Sequence, residues 1–535
     1  MPKTARLLAS GVALAAVVAV VPGVARADAP APVHAPAHSP AHSWTDRIEW
    51  TSSSLADGVR LRTGVLEDTA SAPFWTVTLQ HPVTSSITGG PANAGVGPRA
   101  WAQETAGRLR AAGYEPRLDD VRWPDYADTP GGLQGVRVRT GEYATQAEAG
   151  SAVTALKALG FPTAVAAWTG YDVDTPADAQ QIHVAVIDPR TYDGEVYGTH
   201  HGTLAKRQKL SDVSGALGAT VAVNGGFFIT SDADGYQGAP AGIAVYDGQL
   251  EAMDAGSRTG IVLGNGPARI TRLTAKVEVR SGRSVQPVNG INRTPGVIRN
   301  CGRPGATPTT EPRQDVTCRT ASELVLFTPR LGASLPAGEG TQVVLDDDDL
   351  VTAVGTRGGT VPEGGSVVQG VGAAGEWLAA HATVGSRLPV AESVRDATGR
   401  RVPLTPRTSI VSAAPNLVTD GRTDIDAAAE GVIDPADLSF NYAWAEIRQP
   451  RTMAGIDRRG RLLLVTVDGR QPGVSEGLTV AEEVVLMKSL GAEDAMNLDG
   501  GGSTAIATGG TLLNRTSDAA GERADGDFIV AVPTK

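Results

Sequence analysis

Cysteine is nearly absent from this chain. Cys301 and Cys318 are the only two in 535 residues. In an oxidising compartment an isolated pair forms one disulfide, here closing a loop that holds Pro304, Pro308 and Pro312. A catalytic cysteine is disfavoured because no histidine lies near either in sequence. Positive charge is also short: 47 Lys and Arg stand against 58 Asp and Glu, net −11, which excludes the basic footprint that nucleic acid requires. Aromatics make up only 4%. Long apolar runs are missing beyond the first 21 residues, so no membrane span is expected in the mature chain.

Glycine (65) and proline (34) are abundant and point to a loop-rich protein, long enough for two or more domains. Lys3 and Arg6 precede the apolar run Leu7 to Val21, and Ala25-Arg26-Ala27 offers an A-x-A cleavage site. Residues 1–27 therefore read as a secretory signal peptide, and the expected location is extracellular. Residues 28–43, "DAPAPVHAPAHSPAHS", read as an extended Pro/Ala/His linker; Pro36 and Pro40 break any helix that would align His34, His38 and His42. Residues 44–72 contain the strand-like "GVRLRTGVLED", assigned to the main domain. Residues 73–172 repeat a strand-helix rhythm whose helices end in "LRAAGY" and "LKALGF", predicting a small inserted α+β unit. From 181 to 535 strands dominate without βαβ alternation, so the expected class is α+β with a strand-rich mixed sheet. "TVAEEVVLMKSLGA" is the clearest helix, with Thr479 and Glu482 as a capping box and Gly491 as its stop.

Several motifs resemble chemistry without supporting it. "GVSEG" (473–477) matches a nucleophile elbow, but "DGRQP" separates it from the strand and no histidine follows His381. "GVGAAG" (370–375) lacks a βαβ context for a dinucleotide. "LDDDD" (345–349) lacks the alternating ligand spacing of a calcium loop.

What remains is a set of polar clusters at strand ends. "VAVNGGFF" delivers Asn224 into Gly225. "GINRTPG" carries Asn292 and Arg293, and "PRTSI" carries Arg407; a guanidinium suits phosphate or carboxylate. "TVDGR" and "MNLDGGGST" each end an apolar strand in Asp-Gly. They supply Asp468, Arg470, Asn497, Asp499, Gly500, Gly501 and Ser503, with Glu482 as a further carboxylate. Paired carboxylates are what glycosidic hydrolysis uses.

"NGGFF", "NRTPG", "PRTSI", "DGRQPGVSEGLTVAEE" and "NLDGGGST" occur in an order that resembles the phosphodiester glycosidase family, over roughly residues 181–535. "VRVRTGEYATQAEA" and the two helix ends make residues 73–172 similar to the sporulation-related repeat (SPOR) domain, which binds peptidoglycan glycan strands. The first resemblance implies cleavage between a sugar anomeric carbon and phosphate. Asp499, Asp468 or Glu482 would be catalytic; Asn224, Gly225, Asn292, Arg293, Arg407, Arg470, Asn497, Gly500, Gly501 and Ser503 would bind substrate. Together the resemblances imply a secreted hydrolase acting on a sugar phosphate, with peptidoglycan as a partner through residues 73–172. No cofactor is assigned, and a divalent cation such as calcium is left open. An exo-glycosidase on non-phosphorylated glycans and a non-catalytic wall-binding protein stand as alternatives.

Overall fold

The computed structural model describes residues 43–67, 73–83, 93–172, 179–264, 266–301, 313–433 and 442–534. The expected signal peptide and all but the last residue of the linker lie outside these, as does most of the loop between the cysteines. An eight-stranded sheet forms the centre. Its order is Glu49–Ala56, Val59–Glu67, Ala179–Ile187, Leu462–Val467, Arg451–Asp457, Ala492–Asn497, Asn416–Thr419 and Arg422–Thr423. The middle strands read "LLLVTV" and "RTMAGID" and are buried on both faces. The outer strand "EWTSSSLA" is largely exposed, as its hydroxyl-rich composition requires. Helix Val480–Ser489, capped by Thr479 and Glu482, covers one face through Val484, Leu486 and Met487.

A five-stranded sheet built on Glu195–Thr199, Phe528–Val532 and Val221–Asn224 adds a second layer. Its side chains alternate: Val221, Val223, Ile529 and Ala531 join the central core, whereas Ala222, Phe528 and Val530 face helix Leu210–Leu217. The same alternation lets a further sheet separate two cores. Along Arg258–Leu263 and Ser409–Ala413, Ile261, Leu263, Val411 and Ala413 face the central core, while Val262 and Ile410 face a second one. That second core is closed by a five-stranded sheet containing Glu323–Phe327, Gly338–Asp346 and Gly365–Val371, and by helix Gly372–His381.

Strand Val59–Glu67 pairs directly with Ala179–Ile187, and the chain between them builds its own layer. Four antiparallel strands lie in the order Pro116–Arg122, Leu133–Tyr143, Trp75–Leu79 and Ala164–Trp168, with helices Arg99–Ala111 and Gln146–Ala158. Leu109 and Leu156 pack on Val77, Leu79, Val136 and Val138. Each helix is followed by a glycine with positive φ, Gly113 (+85°) and Gly160 (+88°), the left-handed stop that "AGY" and "LGF" signal.

The chain is strand-rich with few helices. The expected mixed character shrinks to one short parallel pairing, Gly290–Ile291 with Glu323–Phe327; every other named strand pair is antiparallel. Hairpins and returning loops join most neighbours, and such joins impose antiparallel pairing. Cys301 and Cys318 form the disulfide, Cα atoms 5.8 Å apart. No helix among the described residues is long and apolar enough to cross a membrane.

Candidate active site

The strand Ala492–Asn497 is apolar at its exit, and its last backbone groups are tied down in turn. Asn497 N donates to Pro415 O, Leu498 N to Thr452 O and Asp499 N to Gly225 O, all within 2.8–3.0 Å. Asn224 completes the clamp. Its Nδ2 donates to Asp499 O (2.7 Å), and its Oδ1 accepts from Thr452 Oγ1 (2.7 Å) and Ala505 N (3.1 Å). The loop 499–505 is thereby pinned where the central and second sheets converge. The three glycines make room for protein. A Cβ at Gly500 would stand 2.8 Å from Pro450 O, and one at Gly502 2.2 Å from the Arg523 guanidinium. Gly501 takes φ +61° beneath Arg470.

A cavity of about 380 Å³ opens above this loop. Asp499, Arg470, Arg451, Arg523, Trp444, Phe227, Asp315 and Gln449 line it. Trp444 and Phe227 meet edge to face, centroids 5.7 Å apart, and Trp444 Nε1 donates to Asp315 Oδ2 (3.1 Å). The three guanidiniums differ in commitment. Arg451 is held by Glu483 at 3.0 Å and by two carbonyl oxygens, and Arg523 by Asp518 at 2.9 Å. The Arg470 guanidinium donates to Gln449 Oε1 (2.6 Å) and has no ion-pair partner among the described residues.

Asp499 sits on the floor of the cavity, partly open to it and otherwise enclosed. Burial pushes its carboxyl up to about 7; the Ser503 hydroxyl, Arg523 and the Gly500 N–H (2.9 Å to Oδ1) only partly offset this. Asp525 lies behind it, 2% exposed. Burial first, and then the Asp499 charge, hold Asp525 well above the ordinary carboxylate range. Two carboxyls in one dry pocket do not both ionise cheaply, so the pair holds a proton near neutral pH. Among the described residues no three His, Cys, Asp or Glu side chains gather as a metal-holding group.

Of the residues picked out from sequence, Asp499, Arg470, Gly500 and Gly501 reach the cavity, with Ser503 buried against the acid pair. The others are engaged elsewhere. Asp468 accepts from Asn514 Nδ2 and Arg515 N, both at 2.9 Å, and burial raises it to about 6. Glu482 caps its helix and pairs with Arg448 at 2.7 Å. Asn497 Nδ2 donates to Ala414 O (2.6 Å), and Gly225 is packed on Asp527. Asn292, at φ +52°, bonds Glu251 and Thr328, while Arg293 forms a two-pronged buried pair with Glu323 at 2.6 and 2.7 Å. Arg407 is exposed and lines a separate cavity with Tyr192, Tyr197 and Asp247. Ser475 of "GVSEG" is buried and donates to Asp468 O (2.6 Å).

Sequence reasoning passes over Arg523, Asp525 and Asp527 in "GERADGDF", and Trp444, Gln449 and Arg451 in "WAEIRQPR". Asp527 accepts from Gly226 N (2.8 Å) and Tyr246 Oη (2.7 Å), so the last strand fastens the "NGG" turn. The one available signal is another Asp-Gly step, Asp525-Gly526, at the entry of a strand rather than its exit.

The cavity thus joins a protonatable carboxyl to a guanidinium without an ion-pair partner among the described residues. Residues 339–532 match the model of the phosphodiester glycosidase family. "NGGFF" and "NRTPG" lie ahead of the matched segment. Over 117 residues the chain is 28% identical to N-acetylglucosamine-1-phosphodiester alpha-N-acetylglucosaminidase of Mus musculus, covering 22% of each chain. It is 40% identical over 77 residues to an uncharacterised SPbeta prophage-derived protein of Bacillus subtilis, 14% of this chain and 12% of that one. The chain thus spans less than a quarter of these curated relatives. Among solved structures, a Burkholderia pseudomallei protein described as exported shares 31% identity at a TM-score of 0.77, covering 91% of this chain and 97% of that one.

Proposed function

We propose that the cavity hydrolyses the bond between the anomeric carbon of a sugar and a phosphodiester. The observation that carries this reading is the presence in one cavity of Arg470, which lacks an ion-pair partner among the described residues, and Asp499, whose carboxyl burial pushes up to about 7. Cleavage at the anomeric carbon turns the diester into a phosphate monoester, which leaves as a stabilised anion, so the step needs a cation more than a proton donor. Arg470 takes the phosphate, assisted by Arg523. The sugar lies against Trp444 and Phe227. Asp499 in its ionised form draws the proton from water or steadies the developing positive charge at the anomeric carbon. Ser503 holds Asp499 in place.

The substrate class named for the mouse relative, an N-acetylglucosamine-1-phosphodiester, is the first choice here. The leader-like N-terminus supports an exported protein. Wall polymers joined to peptidoglycan through such linkages then become the natural substrates, with residues 73–172 as a glycan-binding unit. The test compares release of free sugar from a sugar-1-phosphodiester with hydrolysis of the matching aryl glycoside. Preference for the diester is expected; equal or better use of the aryl glycoside would make this an ordinary exo-glycosidase.

A further inference from the structure

A second groove, of about 510 Å³, runs beside the candidate active site and shares two of its walls, Arg470 and Gln449. Its opposite wall comes from the layer between residues 73 and 172: Trp75, Trp168, Tyr171 and the exposed Gln146. Trp75 and Trp168 are cross-strand partners with ring centroids 5.5 Å apart, and both are only half buried. Three partly open aromatic side chains along one groove are notable in a chain with 4% aromatics.

The wall is fixed in position. Arg448 N donates to Tyr171 O (2.8 Å) and its Nη1 to Gly170 O (2.7 Å). Trp168 Nε1 donates to Glu476 Oε1 (3.2 Å), and Gln134 Nε2 to Glu446 Oε1 (2.7 Å). Gly170 has room only for hydrogen, since a Cβ there would collide with the Glu476 carboxylate. A groove whose two sides are hydrogen-bonded to one another is preformed, which lowers the ordering cost of binding.

We infer that this groove is a subsite for an extended glycan carried on the far side of the scissile phosphate, and that the inserted layer makes the enzyme selective for such leaving groups. The inference rests on the reading of the cavity as a phosphodiester glycosidase site. With phosphate on Arg470 and the cleaved sugar against Trp444, the groove that shares Arg470 and Gln449 and is lined by Trp168 is the adjoining space for the second ester group. Flat ring faces bordered by Gln146, Gln449 and Arg448 suit pyranose rings, which present apolar C–H faces and polar edges.

The experiment uses the full chain and two readouts. Calorimetric titration with a free trisaccharide of N-acetylglucosamine tests the groove alone. Kinetics on a methyl diester and on a trisaccharide diester of the same sugar-1-phosphate test its coupling to catalysis. Trp168→Ala is expected to weaken trisaccharide binding and to lower kcat/KM on the trisaccharide diester by roughly tenfold, with the methyl diester unchanged. Trp168→Phe, which keeps a ring but loses the bond to Glu476, should retain most of the selectivity and also guards against a folding defect in the alanine variant. Absence of trisaccharide binding to the wild-type chain, or equal loss on both diesters, overturns the subsite. Trisaccharide binding that depends on Trp168, with no diester hydrolysed at all, would instead sink the proposed activity and leave the groove standing as a glycan site.

Discussion

Two polar centres in this molecule are built from the same residue types and do different things. Around Arg293, Glu323 takes both guanidinium prongs, the remaining donors go to Asn289 O and Val297 O, and Asn292 links Glu251 to Thr328. Nearly every donor has found an acceptor inside the protein. Around Asp499 the pairing stays incomplete. Arg470 has an amide partner but no carboxylate, and two carboxyls share one dry pocket. A buried pair with good geometry is a structural brace; a cation and a proton left unmatched at a cavity wall are what the proposed function takes as its site. The motifs "NRTPG" and "NLDGGGST" look equally catalytic on paper, and the difference between them is what each side chain meets in space.

The sharpest way to test that contrast is to truncate one arginine from each centre. Arg470→Ala should lower kcat/KM on a sugar-1-phosphodiester by about 10²–10³, the usual effect of losing one preorganised donor, with a much smaller change on an aryl glycoside and little change in Tm. Arg293→Ala should do the reverse: about 3–5 kcal/mol of stability lost, because Glu323 is left buried and unpaired, and no preference between substrates among the molecules that remain folded. Chemical denaturation beside the two assays measures both. If Arg293→Ala proved stable yet selectively blind to the diester, the comparison would collapse. A finer effect comes from the acid pair. Activity that needs ionised Asp499 should rise with pH through about 7. Asp525 is held protonated while Asp499 ionises, so Asp525→Asn keeps a neutral group there and the rising limb of the rate profile should stay near pH 7; a limb displaced to lower pH would mean that Asp525 carries charge in that range.

The same carboxyls set a stability trend. Asp499, Asp468 and Asp527 have folded values of about 7, 6 and 6, all above the ordinary 3.8. Their favourable contribution is therefore complete below about pH 4 and is lost as pH rises through 6 to 7. Thermal melts across that range should show a falling contribution, and Asp499→Asn should flatten its upper part.

Much of the fold was legible in sequence because it rests on local patterns. "LLLVTV" is a buried strand by composition, Thr479 and Glu482 cap their helix, and Gly113 and Gly160 end theirs. The loop at Asp499 was legible too, since three glycines directly after an apolar strand and an aspartate mark a tight loop that presents a carboxylate at the strand end. The assignment of partners was not. The motif "VAVNGGFF" casts Asn224 as a substrate ligand, but its amide braces residues 499–505; the glycines of "NLDGGGST" suggest room for a sugar phosphate, yet they admit Pro450 O and two guanidiniums. Arg407 and Asp499 lie beside strands of different sheets, and only the tertiary arrangement shows that they open onto different cavities. Asp525 escapes notice because it precedes a strand whose pairing with Val221–Asn224 spans some 300 residues, and one sequence carries no marker for such a contact.

The decisive measurement is the rate of free sugar release from an N-acetylglucosamine-1-phosphodiester at pH 8, made on the wild-type chain and on Asp499→Asn together with their melting temperatures. The wild type should hydrolyse the diester, and the variant should lose about 10²–10⁴ in rate, as expected for removing an acid–base group. Its Tm should be no lower than wild type, because an uncharged side chain now fills a buried position. A folded Asp499→Asn variant that releases sugar at the wild-type rate would contradict the assignment of this cavity as the active site.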